Sequence, residues 1–298
     1  MSEAIVIAAR LAQFTGAALL FGAPIFLIST RRPPRPASMR GWFAAAGALV
    51  LSGGVAALCA RTAIMNDTPS AAFDLAAIRD VVSGTRFGET AGAGILAALA
   101  ALLFMLKPPS RFGWELILPA GFILVSFALT GHAAADDNAT HVWSDIAHLM
   151  AASIWLGALM VFALDLIAAS HAGQPALETL HRHLTNFAWL GTVSVAVLLG
   201  TGLANSWFLI GPEHVADALG STYGELLALK VMVFLAMLAL AARNRFALTP
   251  RLAAAIAAGA PEPAVRALKR SILIEAGAGL VVLALVSALG TLPPPGAG

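Results

Sequence analysis

The chain has 298 residues, of which 59% are hydrophobic and only 11% are charged, and its mean hydropathy is +0.84. Soluble domains carry about 25% charged residues, so this composition excludes a water-soluble globule and predicts a polytopic protein whose first partner is the lipid bilayer. The net charge of +2 does not indicate a nucleic-acid partner, because the basic residues lie between the apolar runs. The single cysteine, Cys59, excludes an intramolecular disulfide and a Cys-x-x-Cys motif.

Eight apolar runs predict transmembrane helices. About 20 helical residues cross a hydrocarbon core of about 30 Å, and a lipid-exposed backbone must satisfy its hydrogen bonds internally. The sequence therefore predicts an all-α membrane bundle that forms a single integral membrane domain over residues 1–298. The predicted spans are 4–29, 41–62, 87–106, 113–132, 142–169, 184–210, 224–243 and 269–291.

The distribution of Lys and Arg predicts the orientation of the bundle, since cytoplasmic loops are enriched in both. One set of connections holds only Arg61, Arg79 and Arg86. The richer set is expected to face the cytoplasm, which places both termini in the periplasm. It comprises Arg31, Arg32, Arg35, Arg40, Lys107, Arg111, Arg182, Arg243, Arg245, Arg251, Arg266, Lys269 and Arg270.

Two connections are long enough to have structure of their own. Residues 69–84 carry apolar side chains between Pro69 and Gly84, which predicts a short amphipathic helix on the outer surface; they are Phe73, Leu75, Ile78, Val81 and Val82. Residues 243–268 are expected to form a long cytoplasmic loop with a second short helix at 250–258, which Pro261 and Pro263 then interrupt.

Histidines and carboxylates gather where the fifth predicted span begins. Residues 141, 145 and 148 share one helix face because they are spaced at i, i+4 and i+7. A connection of about nine residues makes the fourth and fifth spans antiparallel neighbours, which brings residue 132 to the same depth. Imidazole and carboxylate suit Cu(II), whereas Cu(I) prefers sulfur. We therefore predict an outward-facing metal site that loses affinity as pH falls through about 6.5, with candidate ligands His132, His141, Asp145, His148, Met150 and Cys59.

Further charged residues fall inside the predicted spans, where each costs several kcal/mol unless it is paired. We expect a buried charge network in which Lys230 is neutralised by Asp145, Glu89 or Glu225. The alternative is that these charges pair only to fix helix packing. The network comprises Arg10, Glu89, Glu225, Lys230 and Glu275.

Several short pieces in a fixed order resemble the CopD family, the copper resistance D membrane proteins of bacteria. They are His148 with Trp155-Leu156-Gly157, Thr201-Gly202, Thr222-Tyr223-Gly224 with Leu227 and Lys230, Ala242-Arg243-Asn244-Arg245, and Glu275 with Leu289-Gly290-Thr291-Leu292-Pro293-Pro294. The resemblance is densest over a core of about residues 141–292. It implies a multi-pass inner-membrane protein of copper tolerance or import, acting beside a separate periplasmic copper-binding protein of the CopC type.

Together these features predict a copper-handling protein that binds copper at the periplasmic face and passes it inward. We do not expect an enzyme, since the sequence lacks a phosphate-binding loop and a His-Glu-x-x-His motif. Two alternatives stay open. His132 and His148 could ligate haem b in an electron-transfer protein, or the chain could be an assembly factor that transports nothing.

Overall fold

The computed structural model describes residues 3–30, 36–106, 114–131, 138–169 and 174–295, and within these ranges the regular structure is helical. A 3-10 turn, Pro69–Phe73, precedes α3, and a π-helical turn, Asn244–Leu248, joins α9 to α10. The helices are α1 Glu3–Ser29, α2 Pro36–Met65, α3 Leu75–Gly84, α4 Arg86–Phe104, α5 Trp114–Thr130, α6 Ala139–Ala169, α7 Gln174–Ile210, α8 Val215–Leu219, α9 Thr222–Arg243, α10 Thr249–Ala257 and α11 Glu262–Leu289.

Seven helices in the described ranges are long and apolar enough to cross a membrane, which confirms the predicted all-α membrane bundle. They are α1, α2, α4, α6, α7, α9 continued through α10, and α11. The remaining predicted span corresponds to α5, which is apolar but has only 17 residues. Such a helix is about 25 Å long, at the lower limit for crossing a bilayer. Eight spans and outward termini therefore stay predictions.

Helix α1 lies at the centre of the bundle and packs against α2, α5, α6 and α11. Helix α11 runs antiparallel to α1, because the hydroxyl of Thr291, just after α11, donates to Glu3 Oε1 at the start of α1. We call the end of the bundle where α1, α4, α6 and α9 begin the amino end. The core around α1 is built largely from small and aliphatic side chains with Phe26, Phe162 and Phe187 in edge-to-face contact.

The contact between α1 and α6 depends on two glycines. A Cβ atom on Gly157 would overlap the backbone of Gly22 and Ala23, and one on Gly22 would overlap the carbonyl of Ser153. Small residues allow helix backbones to approach this closely. The close approach fixes the position of α6, which carries most of the predicted metal ligands.

The predicted amphipathic helix at residues 69–84 is confirmed as a 3-10 turn followed by α3. The break between them comes from Asp74, whose side chain accepts a hydrogen bond from the backbone N–H of Ala76 and so caps α3. Val81 is buried, and Gly88 of α4 lies against its carbonyl.

The prediction of a long loop at residues 243–268 is wrong, because most of these residues are helical. The helical path of α9 continues through Asn244–Leu248 into α10, which matches the short helix expected at 250–258. Arg243 and Arg245 end the apolar run without ending the helix, because neither residue disfavours helical backbone. The π-helical turn lies just before Pro250, which has no N–H to donate, and Thr249 N–H bonds Asn244 O.

Two further helix starts differ from the prediction. Helix α7 begins at Gln174 rather than 184, and α11 begins at Glu262 rather than 269. Both extensions are amphipathic: Leu177 and Leu180 are buried in the first turns of α7, as are Val265 and Leu268 in α11. The hydropathy of the chain therefore marks only the apolar part of each helix, whereas packing on α10 orders the polar start.

Candidate functional site

His148 lies two to three turns inside α6 and faces α7. Its Nδ1 atom is 2.9 Å from Thr201 Oγ1, and that hydroxyl donates its own hydrogen to Val197 O at 2.6 Å. Since the threonine hydrogen is already used, Nδ1 must be the donor and Thr201 Oγ1 the acceptor. This tautomer leaves the lone pair of His148 on Nε2, the form in which a neutral histidine binds a metal ion.

Asp145 lies one turn before His148 on the same face of α6. Its Oδ1 accepts a hydrogen bond of 3.3 Å from Asn205 Nδ2 on α7. Gly131, just after α5, lies on the other side, where a Cβ atom would be 3.9 Å from Asp145 Oδ2. The carboxylate therefore sits where α5, α6 and α7 meet.

Two cations act on this carboxylate from neighbouring helices. The charge of Lys230 on α9 interacts with Asp145 and His148, and the charge of Arg10 on α1 interacts with Asp145. Asp145 is therefore the acid whose charge acts on both cations, and its pairing with Lys230 stays a prediction.

His141 begins the same face of α6 and is 2% exposed. Its ring stacks on Phe208 of α7, with ring centroids 4.9 Å apart and an interplanar angle of 22°. His141 also lies within electrostatic range of Asp145. Residues 141, 145 and 148 therefore lie on one face of α6, and α7 covers that face.

The proposed ligands do not all meet. Within the described ranges, no three His, Cys, Asp or Glu side chains are grouped closely enough to hold a metal ion. Met150 follows His148 by two residues, about 200° around the helix, and packs against the hydrophobic core. Cys59 is half-buried on α2, whose main neighbours are α1 and α4. His132 lies outside the described residues, so its part in the site stays a prediction.

The expected charge network divides into two centres and two outlying acids. Arg10, Lys230 and Asp145 interact at the amino end, whereas Glu89 and Glu225 are exposed in the first turns of α4 and α9. Expecting these two acids to be buried was wrong, because a residue in the first helical turn can extend its side chain past the helix end.

Glu275 forms the second centre, nearer the opposite end of the bundle. The side chain is 1% exposed, and its carboxylate accepts hydrogen bonds from Trp155 Nε1 at 2.9 Å and from Asn244 Nδ2 at 2.8 Å. These donors come from α6 and from the π-helical turn. Three of the pieces that carry the family resemblance, far apart in the sequence, therefore meet at one carboxylate.

The partners of these centres were missed by sequence reasoning. Thr201 and Asn205 on α7 bond His148 and Asp145 on α6, and both pairs have helical spacing. Polar residues at helical spacing on two consecutive spans are a signal in the sequence that could have predicted this contact between α6 and α7. Asn244 was not considered as a partner, because the prediction placed this residue in a loop outside the bundle.

Comparison with known proteins identifies the family. A model described as Copper resistance protein D matches residues 181–289, and one described as Copper resistance protein D-like, N-terminal domain, matches residues 1–142. The Copper resistance protein D of Pseudomonas syringae pv. tomato is 31% identical over 305 residues, which covers 99% of this chain and 98% of that protein.

Two other relatives align over shorter stretches. The Inner membrane protein YebZ of Escherichia coli (strain K12) is 28% identical over 73% of this chain and 72% of its own length. The Copper transport protein CutJ of Bacillus subtilis (strain 168) is 32% identical over 52% of this chain and 30% of its own length. No solved structure matches the chain. On these matches and its apolar helices, the chain belongs to the copper resistance protein D family and is a multi-pass inner-membrane protein.

Proposed function

We propose that the protein binds copper at the amino end of the bundle and passes it inward along α6, as the copper-uptake step of copper homeostasis. The observation that carries the proposal is the hydrogen bond from His148 Nδ1 to Thr201, which leaves Nε2 for a ligand beside Asp145. A fixed tautomer orients an imidazole ligand, and a neighbouring carboxylate is a further donor that suits Cu(II).

His148 and Asp145 supply one imidazole and one carboxylate, so the copper site would need further donors. His132 is the first candidate because it follows Gly131, which lies beside Asp145. His141 is the second, one to two turns nearer the helix start on the same face. A separate periplasmic CopC-like protein would deliver copper to this end, if the termini are outward as the Lys and Arg distribution predicts.

The face of α6 that carries the candidate ligands also supports inward movement. Trp155 follows His148 by seven residues, which places it on the same face about 10 Å deeper. Its indole donates to Glu275. One helix face therefore connects the candidate copper ligands with the buried carboxylate in the other half of the bundle.

Reconstituted protein provides the test. Copper is supplied outside the proteoliposomes, either as Cu(II) or as Cu(I) with ascorbate, and a copper-sensitive chelating dye is enclosed inside. Proteoliposomes that contain the wild-type chain should show copper uptake. His148→Ala should reduce the uptake rate to that of empty liposomes. His214→Ala should not, because His214 lies at the same end of the bundle but in the connection after α7. Equal uptake by the two variants would refute the proposed role of His148.

A further inference from the structure

A cavity of about 640 Å³ opens at the amino end of the bundle, separate from the α6–α7 contact. Helices α1, α2, α4 and α5 and the segment after α11 line it. Its charged and amide side chains are Glu3, Arg10, Gln13 and Arg61. Arg61 is exposed at the end of α2, whereas Arg10 lies two turns inside α1, so one cation stands at the rim and the other in the interior.

Both guanidinium groups are held in place by apolar contacts. Arg10 lies over the ring of Phe14 at 5.4 Å, and Arg61 lies over the ring of Phe87 at 5.5 Å. Arg10 also packs against Gly290, where a Cβ atom would overlap the guanidinium. Its Nε is buried and has no hydrogen-bond partner among the described residues. A buried N–H of a charged group without an acceptor is costly, which indicates a missing partner.

Within the part of the chain that the structure describes, the charges around the cavity do not balance. Both arginines keep their charge at any physiological pH, and their charges repel each other. Glu3, the acid on the lining, accepts a hydrogen bond from Thr291. Asp145, whose charge acts on Arg10, receives a hydrogen bond from Asn205 and also faces Lys230. Counting the described residues, the cavity therefore has an excess of positive charge and an unused donor on its interior cation.

We propose that this cavity is a binding site for a small oxyanion, a carboxylate or phosphate group held between Arg10 and Arg61. The planar fork of a guanidinium matches the two oxygens of such a group, and the Gln13 amide adds a neutral donor. A bound anion would offset the repulsion between the arginines and accept from Arg10 Nε. The site does not involve His148, so it stands independently of the proposed copper function.

Thermal unfolding of the full chain, purified in a phosphate-free maltoside detergent without copper, tests the site. Inorganic phosphate or acetate should raise the unfolding midpoint saturably above that in chloride at equal ionic strength and pH, because a ligand of the folded state stabilises it. Arg61→Gln should abolish the rise, and its exposed position should let the variant fold. Arg79→Gln is the matched control on exposed α3 and should keep the rise.

A phosphate group could also come from a lipid headgroup, and native mass spectrometry after delipidation distinguishes the two sources. Phosphatidylglycerol retained by the wild-type chain but lost from Arg61→Gln would assign the site to a headgroup, whereas a midpoint shift with free phosphate or acetate and no retained lipid would assign it to a soluble anion. An equal response of wild type and Arg61→Gln in both measurements, or no response in either, would overturn the proposal.

Discussion

The hydrogen bond between His148 and Thr201 shows how a residue one helix away can decide the chemistry of a ligand. Thr201 donates to Val197 O, so its oxygen can only accept from the imidazole. Helical periodicity was sufficient to place His148 beside Asp145, because both lie on one helix. The partner lies 53 residues later in the sequence, and only the packing of α6 on α7 brings it there.

Glu275 is the residue whose loss should most affect folding. Glu275→Ala would leave Trp155 Nε1 and Asn244 Nδ2 buried without an acceptor, at about 1–3 kcal/mol for each donor. Glu275→Gln should be milder, because the new amide can still accept from Trp155 and can donate to Asn244 Oδ1, which is buried and has no partner in the described ranges. The thermal unfolding midpoint in detergent should therefore fall in the order wild type, Gln, Ala.

The matched control is Glu178→Ala, at an exposed position in the first turns of α7. It should leave the midpoint unchanged. If Ala and Gln at position 275 lowered the midpoint equally, the charge of the carboxylate rather than its hydrogen bonds would hold the three segments together.

At the scale of helices, the approach of α6 to α1 should tolerate no added atom. Gly157→Ala places a methyl group on the backbone of Gly22 and Ala23, so α6 must move and carry Asp145 and His148 with it. We expect a lower yield of monodisperse protein in size-exclusion chromatography. Gly200→Ala on α7 meets nothing within 4 Å and should give the wild-type yield. Equal yields would mean that the glycine contact does not position α6.

The helix boundaries show which features of the fold can be predicted from sequence. Hydropathy located the apolar cores of the long helices because burial in lipid requires about 20 apolar residues. It did not locate the polar first turns of α7 and α11, which are ordered by contacts with α10. The continuation of α9 past Arg243 was also missed, since charge was taken as the end of the helix. Because of that error, the sequence did not predict the hydrogen bond that Asn244, which is 8% exposed, donates to Glu275.

At the scale of the whole molecule, the orientation of the bundle is the main open prediction. Cations concentrate in the connections at the end opposite the amino end, which predicts that both termini face the periplasm. Alkaline phosphatase fused after Gly298 should be active in intact cells, whereas green fluorescent protein fused there should be dark. The opposite pair of results would contradict an even number of spans with outward termini.

The candidate site and the Glu275 centre lie at different depths on one face of α6, so two polar centres follow one another along the axis of the bundle. The sequence indicated the ligand-bearing face but not the second centre, because the donors to Glu275 come from segments 31 and 120 residues away. Family membership places the chain among copper resistance proteins. Copper binding by this chain itself is therefore the claim on which the proposed function depends.

Copper content of the purified protein, measured by elemental analysis after equilibration with Cu(II) or Cu(I) and gel filtration, tests that claim most directly. The wild-type chain should retain copper in a fixed ratio to protein, His148→Ala should retain none, and Thr201→Val should bind about 10–100-fold more weakly because the imidazole loses its orienting partner. An absorption spectrum of the same samples should lack a Soret band. Equal copper retention by wild type and His148→Ala, or a Soret band that disappears in His148→Ala, would contradict the account.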